Sequence, residues 1–432
     1  MTTAPFPVIA KRAALWLAFL APVFYLTYGF ANWSASQRDH VGSIVYDWER
    51  TVPFLAWTII PYWSINAFYA LSLFLNASKS GVDCLAARYL TAQTVAVSCF
   101  LAFPLAASFT RPQTSGLPGF MFDVLGGFDK PFNQAPSLHI ALTVIIWSHL
   151  RQRLRGIAAA AWDIWCVLIA ASVLTTFQHH FIDIPTGALL GLFALWLFPA
   201  EGPLPFRDFA WTSDPKRRRL CGFYALGALA LLAGAWLGAY VSANWLLLLW
   251  PSLALALVAF AYAGAGPKVF QKSPGGNVTL ASHLLVLPYR LGARINAWAW
   301  TRRLPPAVEI ANGVHLGRFP DRSEAGAYSA IIDLTAEFAR PRGQRASWHA
   351  VPLLDLVKPD AGDIDRAAAL IASHEDGTVL VCCALGFQRS ALAIVRWLVV
   401  TGRAGDERAA AAMIAAAGRR VALHLDPVPA AL

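Results

Sequence analysis

Long apolar runs occupy most of the first 264 residues and limit what this chain can fold into. With about 20 apolar residues taken as one membrane crossing, the sequence predicts eight spans, at 13–32, 53–75, 90–110, 135–150, 157–176, 181–200, 221–241 and 244–264. The composition agrees, because 57% hydrophobic and 14% charged residues are unusual in a soluble protein. We therefore predict a polytopic α-helical membrane domain at residues 1–264.

The distribution of basic residues predicts the orientation of this domain. With the N-terminus in the cytoplasm, the basic residues on the cytoplasmic side are Lys11, Arg12, Lys79, Arg88, Arg151, Arg153, Arg155, Arg207, Lys216, Arg217, Arg218 and Arg219. Those on the outer side are Arg38, Arg50, Arg111 and Lys130. This bias favours a multi-pass protein of the cell (inner) membrane, with its N-terminus and C-terminal region in the cytoplasm. Basic residues keep loops on the cytoplasmic side, and this role also explains the net charge of +10. We therefore predict no nucleic-acid partner.

Residues 265–303 differ from the spans before them. The stretch "PKVFQKSPGGNV" is typical of a linker. Apolar residues then recur at helical spacing, at Leu284, Leu287, Leu291, Ile295 and Trp298. Two interpretations stay open: an amphipathic helix on the membrane surface, or a core helix of the next domain.

From residue 304 to 432 short apolar runs such as "AIIDLT" and "VLVCC" alternate with helical runs such as "DIDRAAALIASH". This alternation predicts a small α/β domain with a parallel-type sheet. The six cysteines of the chain are scattered and have the spacing of neither a disulfide scaffold nor a zinc site.

The segment "VLVCCALGFQRSALAIVRWL" predicts a strand ending at Cys383, a short loop containing Gly386 and a helix beginning near Arg389. Such a loop directs backbone N–H groups and a helix N-terminus at one point, which binds a phosphate dianion. The same positive field favours the thiolate form of a cysteine at that point. Arg389 can hold two phosphate oxygens at once.

With these motifs the region 305–425 resembles the dual-specificity branch of the protein tyrosine phosphatases, in "VEIANGVHLGRFPD", "YSAIIDLTAEF", "VPLLDL" and "CALGFQRSA". The resemblance implies that Cys383 attacks phosphorus and that Arg389 binds the phosphoryl oxygens. It also implies that Gly386 belongs to the phosphate-binding loop, that Ser390 assists release of the phosphocysteine and that Asp355 is the general acid.

Two points in this region remain open. Asp360 and Asp363 lie in the same segment as Asp355 and are alternatives for the general acid. Cys382 stands before the nucleophile, where this family commonly has histidine. That departure can alter the reactivity of the thiolate, or allow Cys382 to protect Cys383 in a vicinal disulfide.

Three short segments stand out in the membrane region: "TRP" with Arg111, "PSLH" ending at His139, and "QHHFID" with His179 and Asp183. All three lie at the predicted outer ends of spans. Together they supply a nucleophilic imidazole, a carboxylate to orient it, a second imidazole and a guanidinium for phosphate. This set indicates phosphoryl transfer through histidine.

Over residues 90–200 these segments resemble the type 2 phosphatidic acid phosphatase superfamily, particularly its inositol phosphorylceramide synthase-like branch. The resemblance implies a six-helix core in which His179 forms a phosphohistidine and Asp183 orients it. It implies that His139 protonates the leaving alcohol and that Arg111 holds the phosphate.

Three positions qualify this second resemblance. Pro104 stands where the broader superfamily has lysine, and Val173 stands where it has arginine. Fewer cations would balance the phosphate charge, which leaves a specialised headgroup transferase open. His180 is a possible auxiliary residue beside His179.

The combination resembles bacterial fusions of the two families. The sequence predicts an enzyme with a cytoplasmic cysteine site and an outer histidine site, acting on a phospholipid or lipid phosphate without a metal or cofactor. Two alternatives remain: a headgroup phosphotransferase with an accessory phosphatase, and a protein phosphatase anchored by a degenerate membrane domain. Headgroup, acyl preference and oligomeric state are not predicted.

Overall fold

A computed structural model describes residues 5–127, 129–202, 204–419 and 421–423. It is mostly helical, with several apolar helices and one small mixed sheet. The chain divides into two compact units, one of Met1–Leu204 with Ala233–Leu249 and one of Pro205–Leu232 with Trp250–Leu432.

Helices form the first unit and the beginning of the second. In chain order they are α1 (Phe6–Ser36), α2 (Ile59–Phe74), α3 (Lys79–Ala102), α4 (Gly116–Gly126), α5 (Leu138–Arg151), α6 (Gly156–Thr175), α7 (Asp183–Leu197), α8 (Pro215–Ala239) and α9 (Leu249–Phe260). Serine caps begin two of them: the hydroxyl of Ser78 accepts the N–H of Gly81, and that of Ser137 accepts the N–H of Ile140.

Among the described residues, five helical stretches are long and apolar enough to cross a membrane: Phe6–Ser36, Lys79–Ala102, Gly156–Thr175, Pro215–Ala239 and Ala243–Phe270. Helices of this length and composition are consistent with a membrane protein. The apolar helices α2, α5 and α7 coincide with three further predicted spans but are shorter. The count of eight crossings stays a prediction.

Close packing of α5 on α7 brings the ends of these two helices together. A Cβ atom on Gly187 of α7 would lie 2.5 Å from the carbonyl oxygen of Ser137. A Cβ atom on Gly191 would lie 2.7 Å from the carbonyl oxygen of Ala141. Glycine at these two positions therefore allows the backbones to approach, as small residues do between membrane helices.

The sheet belongs to the second unit. Before it come α10 (Leu280–Leu285) and α11 (Leu287–Thr301). The strands and helices that follow are β1 (Ala307–Ala311), β2 (Val314–Arg318), α12 (Arg322–Ala325), β3 (Ala330–Thr335), β4 (Ser347–Leu353), α13 (Ala361–Ala372), β5 (Val379–Cys383), α14 (Arg389–Val400) and α15 (Glu407–Ala416). The strand order is β1-β2-β5-β3-β4.

The sheet is mixed, whereas the sequence pattern predicted a parallel-type sheet. The pairs β2–β5, β5–β3 and β3–β4 are parallel, and β1–β2 is antiparallel. The reason is a tight turn at Asn312 and Gly313, both with positive φ, which joins β1 to β2. An Asn-Gly pair is a strong signal for such a hairpin, and the parallel interpretation overlooked it.

The predicted linker packs on the exposed edge of β4. Ala350 donates its N–H to the carbonyl of Pro274 at 2.7 Å, and Arg340 donates its N–H to Gly276 at 3.0 Å. The fully buried ammonium of Lys272 forms an ion pair with Asp333. The segment thus covers a sheet edge that would otherwise be open to pairing.

The amphipathic pattern after the linker is divided between two helices, because Leu284 lies in α10 and the other four residues lie in α11. Leu291, Ile295 and Trp298 are exposed on this helix. Arg290 of the same helix is buried, and burial lowers its pKa to about 10. An exposed apolar face is what a helix on a membrane surface would present, and the membrane-surface interpretation stays a prediction.

Candidate active sites

Cys383 lies at the carboxyl end of β5, in the middle of the sheet. The side chain is 3% exposed. The N–H of Gly386 and the hydroxyl of Ser390 each donate a hydrogen bond to its sulfur at 3.2 Å. The sulfur is therefore held in one position by the loop and by the first turn of α14.

The path of the loop requires glycine at position 386. Gly386 has φ +76°, a conformation that other residues rarely adopt. A Cβ atom there would lie 2.6 Å from the carbonyl carbon and oxygen of Gly317 in β2. Any other residue would push the loop away from the sheet and move the N–H that contacts Cys383.

Arg389 begins α14 and is held by carboxylates. Its two terminal nitrogens donate to Glu337 at 3.0 and 2.8 Å, and one of them also donates to the carbonyl of Leu353 at 2.9 Å. Asp355 lies 3.1 Å from the nitrogen Nη2. The guanidinium is 1% exposed, so its orientation is fixed.

The electrostatics of this pair keep both groups charged. Burial alone would raise the pKa of Glu337, but the attraction of Arg389 outweighs it and the pKa of Glu337 is lowered. Burial opposes the charge of Arg389 in the same way, yet Asp355 and Glu337 raise its pKa. The Nε atom of Arg389 is buried without a partner among the described residues. Nε and Nη2 form the edge that can bind two phosphoryl oxygens once Asp355 has moved from Nη2 to the leaving oxygen.

The three candidate acids differ in position. Asp355 follows β4 and contacts Arg389. Asp360 is the N-cap residue of α13, and Asp363, in the first turn of that helix, pairs with Arg366. Among the described residues neither Asp360 nor Asp363 contacts Cys383 or Arg389, so the geometry favours Asp355 as the acid.

Cys382 has a different environment from that of its neighbour Cys383. Its side chain is fully buried on the other face of β5, in a cluster with Ile331 and Trp348. Burial, with the negative charge of Asp333, raises the pKa of Cys382 well above its usual value. Cys382 is therefore a neutral thiol.

The histidine residues of the membrane region form a second cluster, in the first unit. His179 Nδ1 lies 3.1 Å from a carboxylate oxygen of Asp183, and the same oxygen accepts the N–H of His180 at 3.0 Å. Ser137 Oγ lies 3.3 Å from the other ring nitrogen of His179. A carboxylate on Nδ1 leaves Nε2 as the atom available for attack.

His139 and His179 line one cavity of about 200 Å³. The ring of His139 stacks on Tyr62 at 4.1 Å between centroids, and its Nε2 has no partner among the described residues. Arg111 does not line this cavity. Its guanidinium lies over the ring of Phe122, 4.8 Å from the centroid. The structure therefore brings His139, His179 and Asp183 together, while Arg111 lies outside the cavity lining but close enough for its charge to act on Tyr62 and Asp129 of that lining.

His180 has its own partners. Its Nδ1 lies 3.0 Å from Glu49, and its Nε2 accepts the N–H of Ser108 at 3.1 Å. Glu49 also accepts the N–H of Phe181 at 2.9 Å. These bonds connect three separate segments of the chain, so His180 acts as a structural connector beside His179.

Sequence reasoning missed Glu337 and Glu49. Glu337 follows the buried strand β3, at the same edge of the sheet as Cys383. A carboxylate soon after a buried apolar strand was the available local signal, but the sequence does not show that this strand lies beside β5. Glu49 lies in the 3₁₀ turn Asp47–Thr51, far in sequence from His180, and no local pattern indicates it.

Comparisons with known proteins give limited information. No protein-family profile matches the chain, and no curated protein matches it. Part of the chain is similar to the crystal structure of a variant of human DUSP28, with 20% identity, 28% of this chain and 87% of that chain covered, and a TM-score of 0.25. It is also similar to Tk-PTP in its active form, with 22% identity, 27% and 88% covered, and a TM-score of 0.24. Because both scores are low, function has to be inferred from the geometry of the sites.

Proposed function

We propose that this protein is a phosphoric monoester hydrolase that acts through a phosphocysteine at Cys383. The observation that carries this proposal is the sulfur of Cys383 with two hydrogen-bond donors, beside a guanidinium fixed by Glu337. A buried cysteine that served packing alone would need neither the donors nor the oriented cation.

The geometry supports a two-step reaction. Arg389 binds two phosphoryl oxygens through Nε and Nη2, and the thiolate of Cys383 forms an S–P bond as the P–O bond to the leaving group breaks. Asp355 donates its proton to the leaving oxygen. A water oxygen then attacks phosphorus, Asp355 takes its proton, and the S–P bond breaks while Ser390 donates a hydrogen bond to the departing sulfur.

A membrane lipid is the substrate class that fits this site best. The hydroxyl of Tyr262 donates to the backbone carbonyl of Asp355 at 2.9 Å. Tyr262 belongs to Ala243–Phe270, which is long and apolar enough to cross a membrane. The loop of the general acid is therefore bonded to the end of a candidate span, where phosphorylated headgroups lie.

A second phosphate-handling site at His179 is supported by the bond between His179 and Asp183 and by their common cavity with His139. It fits a lipid phosphatase or a headgroup phosphotransferase, in which phosphorus bonds to Nε2 of His179 before transfer to water or an alcohol.

The test is phosphate release and lipid mass spectrometry with the full-length protein in bilayer discs. The substrates are phosphatidic acid, phosphatidylglycerophosphate, a phosphatidylinositol phosphate and a phosphotyrosyl peptide. We expect Cys383→Ser to abolish release from a lipid monoester, and we expect the matched variant Cys382→Ser to retain it.

His179→Ala in the same assay should abolish a separate lipid conversion. Release that survives Cys383→Ser refutes the cysteine mechanism. A preference for the peptide, unaffected by His179→Ala, would show instead a membrane-anchored protein phosphatase.

A further inference from the structure

The cavity beside His179 contains a carboxylate that the proposed chemistry does not use. Asp129 lines this cavity, between α4 and α5. The hydroxyl of Tyr28 donates to it at 2.8 Å. No ion pair joins Asp129 to a lysine or arginine within the described ranges, and none of the lining residues is a lysine or arginine. Tyr62 also donates to Asp129, and the charges of His179 and Arg111 act on it, but burial outweighs these groups and the pKa of Asp129 stays raised. A further positive charge beside it would therefore stabilise the carboxylate.

A second acceptor lines the same space. Asn133 is 2% exposed, and its amide nitrogen donates a hydrogen bond to the carbonyl of Tyr28 at 3.0 Å. Its Oδ1 atom is buried without a partner among the described residues. The polar lining is therefore rich in acceptors and lacks permanently charged donors. A ligand that donates hydrogen bonds and carries positive charge would satisfy both groups.

The remaining wall is aromatic. Phe24, Tyr28, Tyr62 and Tyr69 all line the cavity. The rings of Phe24 and Tyr28 are stacked, with their centroids 5.3 Å apart and an angle of 8° between the ring planes. Aromatic rings around a carboxylate are the surroundings that recognise an alkylammonium group. An acyl chain in this space would leave Oδ1 of Asn133 without a donor and would add no positive charge beside Asp129.

We propose that this cavity binds the ammonium group of a zwitterionic lipid headgroup, with Asp129 as its counter-charge and the headgroup phosphate beside His179. This assignment rests on the proposed histidine site, whose substrate class it specifies. Burial raises the pKa of Asp129, and a cation next to it would restore the charged form.

The test is lipid retention by the full-length protein, measured by native mass spectrometry after release from discs. The discs contain equal amounts of phosphatidylethanolamine and phosphatidylglycerol with the same acyl chains. We expect wild type and His179→Ala to retain phosphatidylethanolamine over phosphatidylglycerol by roughly tenfold. Asp129→Asn should abolish this preference, and Asp123→Asn, on the exposed face of α4, should keep it.

A measurement on wild type alone covers the case in which Asp129→Asn does not fold. Tetramethylammonium chloride should lower phosphatidylethanolamine retention, and the same concentration of sodium chloride should not. Equal retention of the two lipids by wild type, or an unchanged preference in Asp129→Asn, overturns the proposal.

Two further outcomes separate the possible errors. If tetramethylammonium displaces no phosphatidylethanolamine, the cavity does not bind ammonium groups. Binding of tetramethylammonium without any lipid preference would assign the cavity to a soluble amine and overturn the headgroup assignment. A lipid preference without any lipid conversion would refute the chemistry at His179 while leaving the ammonium site intact.

Discussion

Replacing Glu337 by glutamine tests whether the orientation of Arg389 governs the cysteine site. In the native structure Glu337 accepts two hydrogen bonds from the guanidinium, and both side chains are buried. Glutamine has nearly the same shape, but it keeps one acceptor oxygen and places an NH₂ group against a donor. The variant therefore loses one charge-assisted bond and leaves Arg389 partly unpaired.

A hydrogen bond to a charged group contributes about 1.5–3 kcal/mol. If that loss appears in the transition state, kcat/KM falls by roughly 10- to 150-fold. The assay is phosphate release from a lipid monoester by full-length Glu337→Gln, with Glu337→Asp as the charge-conserving control. Cys383 is untouched in both variants, so alkylation of its thiolate by iodoacetamide should continue.

Acid stability provides an independent check with a definite sign. Because the pKa of Glu337 is lowered in the folded state, its contribution to stability is complete above its unfolded pKa of about 4.3 and is lost as the pH falls through the folded value. Wild type should therefore lose more thermal stability than Glu337→Gln between pH of about 5 and 3. Unchanged kcat/KM together with the same acid profile in both proteins would refute the reasoning.

Three further outcomes follow from the same geometry. Asp355→Asn should slow hydrolysis of alkyl phosphates by roughly 10²–10⁴-fold but affect p-nitrophenyl phosphate much less, because a good leaving group needs no proton, and Asp363→Asn should match wild type. Tyr262→Phe removes one hydrogen bond to the Asp355 loop, so we expect phosphate release from alkyl phosphates to fall by about 2- to 12-fold. Release from p-nitrophenyl phosphate should not change, and an equal fall with both substrates would contradict a role of Tyr262 in positioning the acid. Gly386→Ala should abolish phosphate release, since its Cβ would meet Gly317, and retention of wild-type activity would show that the loop can shift at no cost.

The local structure around Cys383 could be predicted from the sequence. The predicted strand end at Cys383 and helix start near Arg389 coincide with β5 and α14. The run "VLVCC" is short and apolar, and a loop with Gly386 separates it from a helical pattern. Local sequence is therefore enough to predict this strand, loop and helix. The same holds for the apolar helices, whose existence depends on composition over about 20 residues.

What the sequence could not provide depends on contacts between distant segments. Glu337 reaches Arg389 because β3 and β5 are neighbours in the sheet, an order that alternation of strands and helices does not specify. Lys272 lies in a segment that was predicted as a linker, yet its ammonium is buried against Asp333. Tyr262 meets the Asp355 loop from a helix almost a hundred residues earlier, and no periodic signal marks such a contact.

The most direct test of the central claim is to trap the covalent intermediate. Full-length protein carrying Asp355→Asn is mixed with p-nitrophenyl phosphate, whose leaving group needs no proton, so the intermediate can form while its hydrolysis lacks a base. The reaction is quenched in acid, the protein is digested, and the peptides are analysed by mass spectrometry. The proposed mechanism predicts a phosphoryl group on Cys383, absent in Cys383→Ser and present in Cys382→Ser. Phosphate release by wild type without any phosphorylated Cys383 peptide, or with the phosphoryl group on another residue, would contradict it.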